Sequence, residues 1–113
     1  MLTFLSAPTI VPCGGGVKMI TYKKVTNRFQ EYILTLEVVG EYVACGSAIR
    51  AERVFVKSAE TKSGRPVEGN RFFSLYDWNF EYRVGQIAES DLKATKGIYC
   101  FTDKALAVAF MAR

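Results

Sequence analysis

From Met19 onward apolar and polar positions alternate with a period of two, the pattern of strands that bury one face. Met19-Ile20-Thr21-Tyr22-Lys23-Lys24-Val25 reads as a strand that ends at a turn signal, Thr26-Asn27. The clearest strand spans 30–39. Tyr32, Leu34, Leu36 and Val38 fall on one face and Glu31, Thr35 and Glu37 on the other, with Ile33 as the interruption. Gly40-Glu41 turns into Tyr42-Val43-Ala44-Cys45. Gly46-Ser47 breaks the pattern, and 51–59 resumes it with Val54 and Val56 opposed to Arg53, Phe55 and Lys57. Lys62-Ser63-Gly64-Arg65-Pro66 and Glu68-Gly69-Asn70 carry turn chemistry, so 60–70 is expected to be a loop.

The second half of the chain is denser in aromatic residues. Residues 71–76 read as a short strand or an aromatic loop, and 80–87 as a strand with Phe80, Tyr82 and Val84 opposed to Glu81 and Arg83. A polar loop over 86–96, with one helical turn at 89–92, leads to a strand at Gly97-Ile98-Tyr99-Cys100-Phe101. A short helix is predicted over 103–112, with Thr102 as N-cap and Asp103 meeting the helix dipole. Ala105, Leu106, Ala107, Val108, Ala109, Phe110 and Met111 make it apolar all round. Such a helix should be buried on most sides, by a sheet's concave face or by another subunit.

The expected fold is α+β, a curved and mainly antiparallel sheet of about five to seven strands with the C-terminal helix packed on it. Segments 80–84 and 97–101 are expected side by side in that sheet, roofed by the helix. Residues 1–18, which run into Gly14-Gly15-Gly16, form an N-terminal arm able to dock on the body, and 19–113 form a single domain.

Composition fits this picture. Half of the 113 residues are hydrophobic and 23% are charged, as in a globular core. A chain of this length buries roughly two thirds of its unfolded surface and needs no metal or disulfide staple. Fifteen Lys and Arg against eleven Asp and Glu leave a net charge of +4, but the bases are scattered singly apart from Lys23-Lys24, which argues against nucleic acid as the partner. No histidine is present, which removes the commonest general base and metal ligand. Cys13, Cys45 and Cys100 are far apart, so neither a zinc site nor a disulfide framework is indicated, and no metal or cofactor is expected. Residues 1–8 lack a basic n-region, Pro8 and Pro12 interrupt the apolar stretch up to Cys13, and no apolar run is long enough to span a bilayer. A cytoplasmic protein without a membrane partner is expected.

Candidate chemistry centres on aromatic and basic residues. Alternation assigns part of the set Phe72, Phe73, Tyr76, Trp78, Phe80 and Tyr82 to the core. Phe72 and Phe73 cannot both point inward if extended, and Tyr76-Asp77-Trp78 is turn-like, so some of the set should be exposed. Exposed Tyr, Trp and Arg anchor protein interfaces, which singles out Tyr76, Trp78 and Arg71. A base-stacking surface is the alternative. Arg50, Arg53, Arg71 and Arg83 could converge on an acidic partner, although alternation places Arg83 away from Tyr82. Gly14-Gly15-Gly16 lacks the Lys-Ser or Lys-Thr of a phosphate loop.

The points Tyr22-Lys23-Lys24-Val25, Leu34-x-Leu36, Val43-Ala44, Arg50-Ala51 with Val54, Asp77-x-x-Phe80-x-Tyr82-x-Val84-Gly85 and Gly97-Ile98-x-x-Phe101 with Ala107 and Phe110 resemble a family of uncharacterised domains. Those domains occur in phages, giant DNA viruses and some bacteria, sometimes beside pentapeptide repeats. Their usual histidine after Gly-Ile is Tyr99 here, and their Lys-Cys before Arg-Ala is Ala48-Ile49. This resemblance implies a fold and a mobile-element setting, and the expected function is that of a small phage-type binding protein, an inhibitor of a host defence protein in the host cytoplasm; the apolar helix or the arm offers a surface for self-association. Lys96-Gly97-Ile98-Tyr99-Cys100-Phe101 is also similar to the Gly-Ile-Tyr-Phe strand of ADP-ribosyltransferases. That similarity implies a nucleotide or dinucleotide pocket using Tyr82, Arg83, Gly97 and Tyr99. No strand with the transferase glutamate follows before Arg113, so catalysis is not expected.

Overall fold

The computed structural model describes residues 10–11, 19–90 and 97–111. They form ten strands and one helix: β1 (Ile10–Val11), β2 (Met19–Thr26), β3 (Glu31–Val38), β4 (Tyr42–Cys45), β5 (Ala48–Ala51), β6 (Arg53–Thr61), β7 (Arg71–Ser74), β8 (Glu81–Arg83), β9 (Ile87–Glu89), β10 (Ile98–Phe101) and α1 (Lys104–Ala109). All pairings among these strands are antiparallel, in one strongly curled sheet with a short C-terminal helix.

The β2–β3 hairpin runs in unbroken register from Met19 opposite Val38 to Thr26 opposite Glu31. β6 adds to β3, and the register shifts between Thr35 and Leu36, so that Leu36 faces Val56 while Leu34 faces Ala59. The extra residue of the bulge at Lys57–Ser58 switches the inward positions of β6 from even to odd numbers, which keeps them opposite Leu34 and Leu36. Val54, Val56 and Ala59 therefore all point inward. β9 pairs with β6, β8 with β7, and β7 with the C-terminal end of β2. The turn between β8 and β9 is tied to β6, with Gly85 N–H donating to Val56 O at 2.8 Å and Val56 N–H to Gln86 O at 3.0 Å. These bonds close β2, β3, β6, β9, β8 and β7 into a small barrel, which leaves few sheet edges open.

The sheet forks at β2. On the edge opposite β3, Tyr22 faces Phe101 of β10, whereas Val25 and Thr26 face Ser74 and Phe73 of β7. β10 begins the second branch, continuing through β5 and β4 to β1. The inner face of barrel and branch is one core of Val25, Leu34, Leu36, Val38, Ile49, Ala51, Val54, Val56, Phe72, Tyr82, Ile98 and Cys100.

Ile33 is fully buried but faces the other way. Its cross-strand neighbours are Lys24 and Glu60. Lys24 Nζ donates to Phe110 O at the end of α1 at 2.5 Å, and Glu60 Oε2 lies 2.6 Å from Lys104 Nζ at its start. The helix is thus laid across the row Lys24–Ile33–Glu60 and covers Ile33 from outside. Lys24 supplies the positive charge that a helix C-terminus favours.

Several expectations are corrected. There are more strands than five to seven, because Gly46-Ser47 is a two-residue hairpin turn that opens β5 and because 80–87 splits at Gly85 into β8 and β9. Segments 80–84 and 97–101 belong to one sheet but are not adjacent: among the described residues β8 pairs with β7 alone, while β10 lies between β5 and β2. The N-cap is Asp103 rather than Thr102, its carboxylate accepting from Ala105 N–H, and the helix ends at Ala109. α1 is also not buried on most sides. Ala107 is its buried residue, while Leu106 is 38% and nearby Met111 78% exposed. One turn and a half of helix on a sheet can cover only one stripe. Of the arm, Ile10–Val11 pairs with β4 as an edge strand. Its other residues, and the second half of the turn expected at 89–92, lie outside the described residues, Glu89 closing β9.

Candidate functional site: the cleft at the sheet fork

Where β10 and β7 diverge from β2, the sheet opens into a cleft of about 450 Å³. Lys23 and Tyr82 come from the inner face, Gly97, Ile98 and Tyr99 from the start of β10, Ser74, Tyr76 and Asp77 from the end of β7 and the following loop, and Phe110 from the end of α1. Four residues singled out from sequence, Tyr76, Tyr82, Gly97 and Tyr99, are brought together here. Gly97 has a φ of 120°, which lets the backbone turn into β10 without strain.

Lys23 is the cation of the cleft. Alternation along β2 sends Lys24 outward to α1 and Lys23 inward, where its Nζ donates to Tyr99 O at 2.6 Å. Burial pushes its pKa down to about 8, with the Cys100 thiol acting in the opposite direction. Burial also pushes the Tyr82 phenol and the Cys100 thiol upward, so both stay protonated near neutrality. The outer wall is aromatic. The Phe110 ring centroid lies 6.0 Å from that of Tyr76, 6.3 Å from that of Tyr99 and 5.8 Å from that of Phe101.

Trp78 lies apart from this group. It lines a second depression with Arg28, Phe29, Glu31, Lys62 and Leu75, separated from the cleft by the 75–80 loop. The turn beneath it is tightly specified. Asn27 Oδ1 accepts from the N–H groups of Phe29 and Gln30, Thr26 Oγ1 accepts from Arg28 N–H, and Arg28 takes a φ of 80°. The Arg28 guanidinium stacks 4.1 Å above the Phe73 ring centroid, lies 5.9 Å from that of Trp78, and donates to Trp78 O at 3.1 Å. The loop is further held by Asp77, whose side chain accepts from Asn79 N–H and whose carbonyl accepts from Phe80 N–H. Phe29 is left 91%, Tyr76 63% and Trp78 53% exposed.

Arg71 and Arg83 join neither depression. They face each other on β7 and β8, and both Nε atoms lie 2.7 Å from Glu81 Oε2. The Arg71 hydrogen bond, with Arg83 adding to it, holds the Glu81 carboxyl below the usual carboxylate range. Of the residues expected to form a dinucleotide pocket, Tyr82, Gly97 and Tyr99 meet in the cleft and Arg83 does not. Lys23, Phe110, Arg28 and Phe29 were not among the sequence candidates. The signal for the first was the adjacent pair Lys23-Lys24 inside a strand, where one of two neighbours must face inward.

Among the described residues no three His, Cys, Asp or Glu side chains gather as metal ligands, and no helix is long and apolar enough to cross a membrane. No curated protein and no solved structure matches the chain. Residues 8–107 do match a family, described as a family of unknown function, and their extent takes in every described strand and the lining of both depressions except Phe110. The chain belongs to that family, DUF5758.

Proposed function

We propose that this domain is a non-enzymatic binding protein that recognises another protein through the aromatic platform of Trp78 and Phe29. The observation that carries this reading is Trp78, half exposed on a loop whose backbone is already pinned by Arg28 and Asp77. An aromatic side chain left in water on an ordered loop gives up little conformational entropy when a partner covers it, and such residues dominate interface energetics. Arg28 supports the reading independently. A non-glycine residue held at positive φ to place one guanidinium over the half-buried Phe73 ring and beside the exposed Trp78 ring is a local cost retained where a surface has a task. Lys62 and Glu31, 3.1 Å apart, supply a polar rim.

The partner is taken to be a host protein, and the role inhibition, on the resemblance to phage and viral domains. The nucleotide reading has less support, since Arg83 is held by Glu81 outside the cleft. Capture from a host lysate on immobilised wild-type protein and on the Trp78→Ala variant, followed by mass spectrometry, tests the proposal. A protein retained by the wild type and depleted by about tenfold or more on the variant is expected. Equal recovery on both, or no specific protein on either, contradicts it.

A further inference from the structure

We propose that the cleft at the sheet fork binds a monocarboxylate with a flat apolar body, the carboxylate on the Lys23 ammonium and the body against Tyr76, Tyr99 and Phe110. This goes beyond the Trp78 platform and does not depend on it.

The charge count selects the anion. Among the described residues Lys23 Nζ has one acceptor, Tyr99 O, and an ammonium has three donors, so two remain for a guest. Tyr82 lines the same space with a phenol that burial keeps protonated, a neutral donor for the second carboxylate oxygen. Among the described residues no other cation lines the cleft. Arg71 and Arg83 are held by Glu81 outside it, and Lys24 and Lys104 are committed to Phe110 O and Glu60. A phosphate, with a charge of about −1.5 to −2 at neutral pH, would be poorly compensated by one lysine. Asp77, exposed at the rim, subtracts further from any dianion.

The walls select the body. Three rings with centroid separations of 6.0 and 6.3 Å around Phe110, over a floor of Ile98, present apolar faces and edges to a flat guest. The volume of about 450 Å³ lies in the range of small-molecule sites. Two sources share this chemistry: a free aromatic acid, and the C-terminal carboxylate of a peptide ending in an aromatic residue.

Binding requires charged Lys23. Among the described residues, the Cys100 thiol acts on it directly and Tyr82, Tyr99 and Asp77 line the same cleft, with burial pushing the Cys100 and Tyr82 pKa values upward. With Lys23 at about 8 in the free protein, affinity is full below that pH and falls by about tenfold between about pH 7 and pH 9.

The test is an amide-shift NMR titration of the full chain with phenylacetate, phenylacetamide, adenosine monophosphate, and a short phenylalanine-ended peptide with a free or an amidated C-terminus. Phenylacetate should move the amides of Lys23, Tyr76 and Tyr99 and bind at least about tenfold tighter than its amide, an advantage that Lys23→Met removes and rising pH erodes. Should that variant not fold, Asp77→Asn at the exposed rim must strengthen the acid by about twofold or more and leave the amide unchanged. Tighter binding of the free-carboxylate peptide than of phenylacetate assigns the guest to a chain terminus, and the reverse order assigns it to a small acid. Equal affinity for acid and amide, tighter binding of adenosine monophosphate, shifts confined to residues outside the cleft, or no binding overturns the proposal. A failed titration leaves the Trp78 reading standing, because none of these ligands reports on that platform.

Discussion

Lys23 and Lys24, consecutive on β2, leave the strand on opposite faces, and each donates to a carbonyl beside the same aromatic wall: Lys23 to Tyr99 O at 2.6 Å and Lys24 to Phe110 O at 2.5 Å. Neighbours on a strand must diverge in this way. Here the divergence fastens both β10 and the end of α1 to the point where the sheet forks.

Lys24→Met tests that fastening. The charged hydrogen bond to Phe110 O is lost at a buried position, so stability should fall by about 1–3 kcal/mol in denaturant unfolding. Hydrogen exchange should accelerate over 104–110 more than in the β2–β3 hairpin. Uniform acceleration would mean that the lysine is not the clamp of the helix.

Gly85 closes the barrel at a φ of 87° with open space around it, so a methyl group there meets backbone strain rather than a clash. Gly85→Ala should cost about 1–2 kcal/mol. At Gly69, which has no positive φ and whose nearest atoms lie at an ordinary 3.8 Å, the same change should be close to neutral by thermal melting.

Thr21 Oγ1 is buried against the core, where the Cys100 sulfur, a weak acceptor, is its neighbour and no stronger hydrogen-bond partner is found among the described residues. An unsatisfied hydroxyl costs about 1–3 kcal/mol, and valine has nearly the same shape and suits a strand. Thr21→Val should therefore raise the melting temperature. A drop would show that the hydroxyl is satisfied in solution.

Glu81 is held below its ordinary pKa by Arg71 and then Arg83. A depressed carboxylate stabilises the fold above its unfolded pKa, about 4.3, and that contribution disappears as pH falls through the lower folded value. Glu81→Gln should flatten the acid limb of the stability profile below about pH 4 and leave the alkaline limb unchanged. An unaltered acid limb would contradict the pairing.

How much of this was legible before the fold was known depended on the range of the interactions involved. The strand character of β2, β3 and β6 could be read directly, because Leu34, Leu36, Val54 and Val56 alternate over enough residues to declare a buried face. β5 was missed since Ala48-Ile49-Arg50-Ala51 is short and follows a Gly-Ser pair that reads equally well as a loop. β8 and β9 read as one strand because apolar residues continue from Tyr82 and Val84 to Ile87, although Ile87 falls out of their period and the left-handed Gly85 separates them. The cleft was half visible. Tyr76, Tyr82, Gly97 and Tyr99 stood out as residue types, but Lys23 reads as a solvated lysine until β7 and β10 are known to take different halves of β2. That exchange is a long-range register, and no local pattern encodes it.

The central claim, recognition of a protein through the Trp78 platform, is tested most directly by the partner's affinity for three variants measured side by side. Trp78→Ala and Arg28→Ala alter the platform. Val39→Ala removes an apolar side chain of similar exposure, 40% against 53%, just beyond the far end of β3 from Glu31. The account predicts at least about a tenfold weaker complex for Trp78→Ala, an intermediate loss for Arg28→Ala and an unchanged constant for Val39→Ala. Equal constants for Trp78→Ala and wild type, or a loss as large for Val39→Ala, would contradict it.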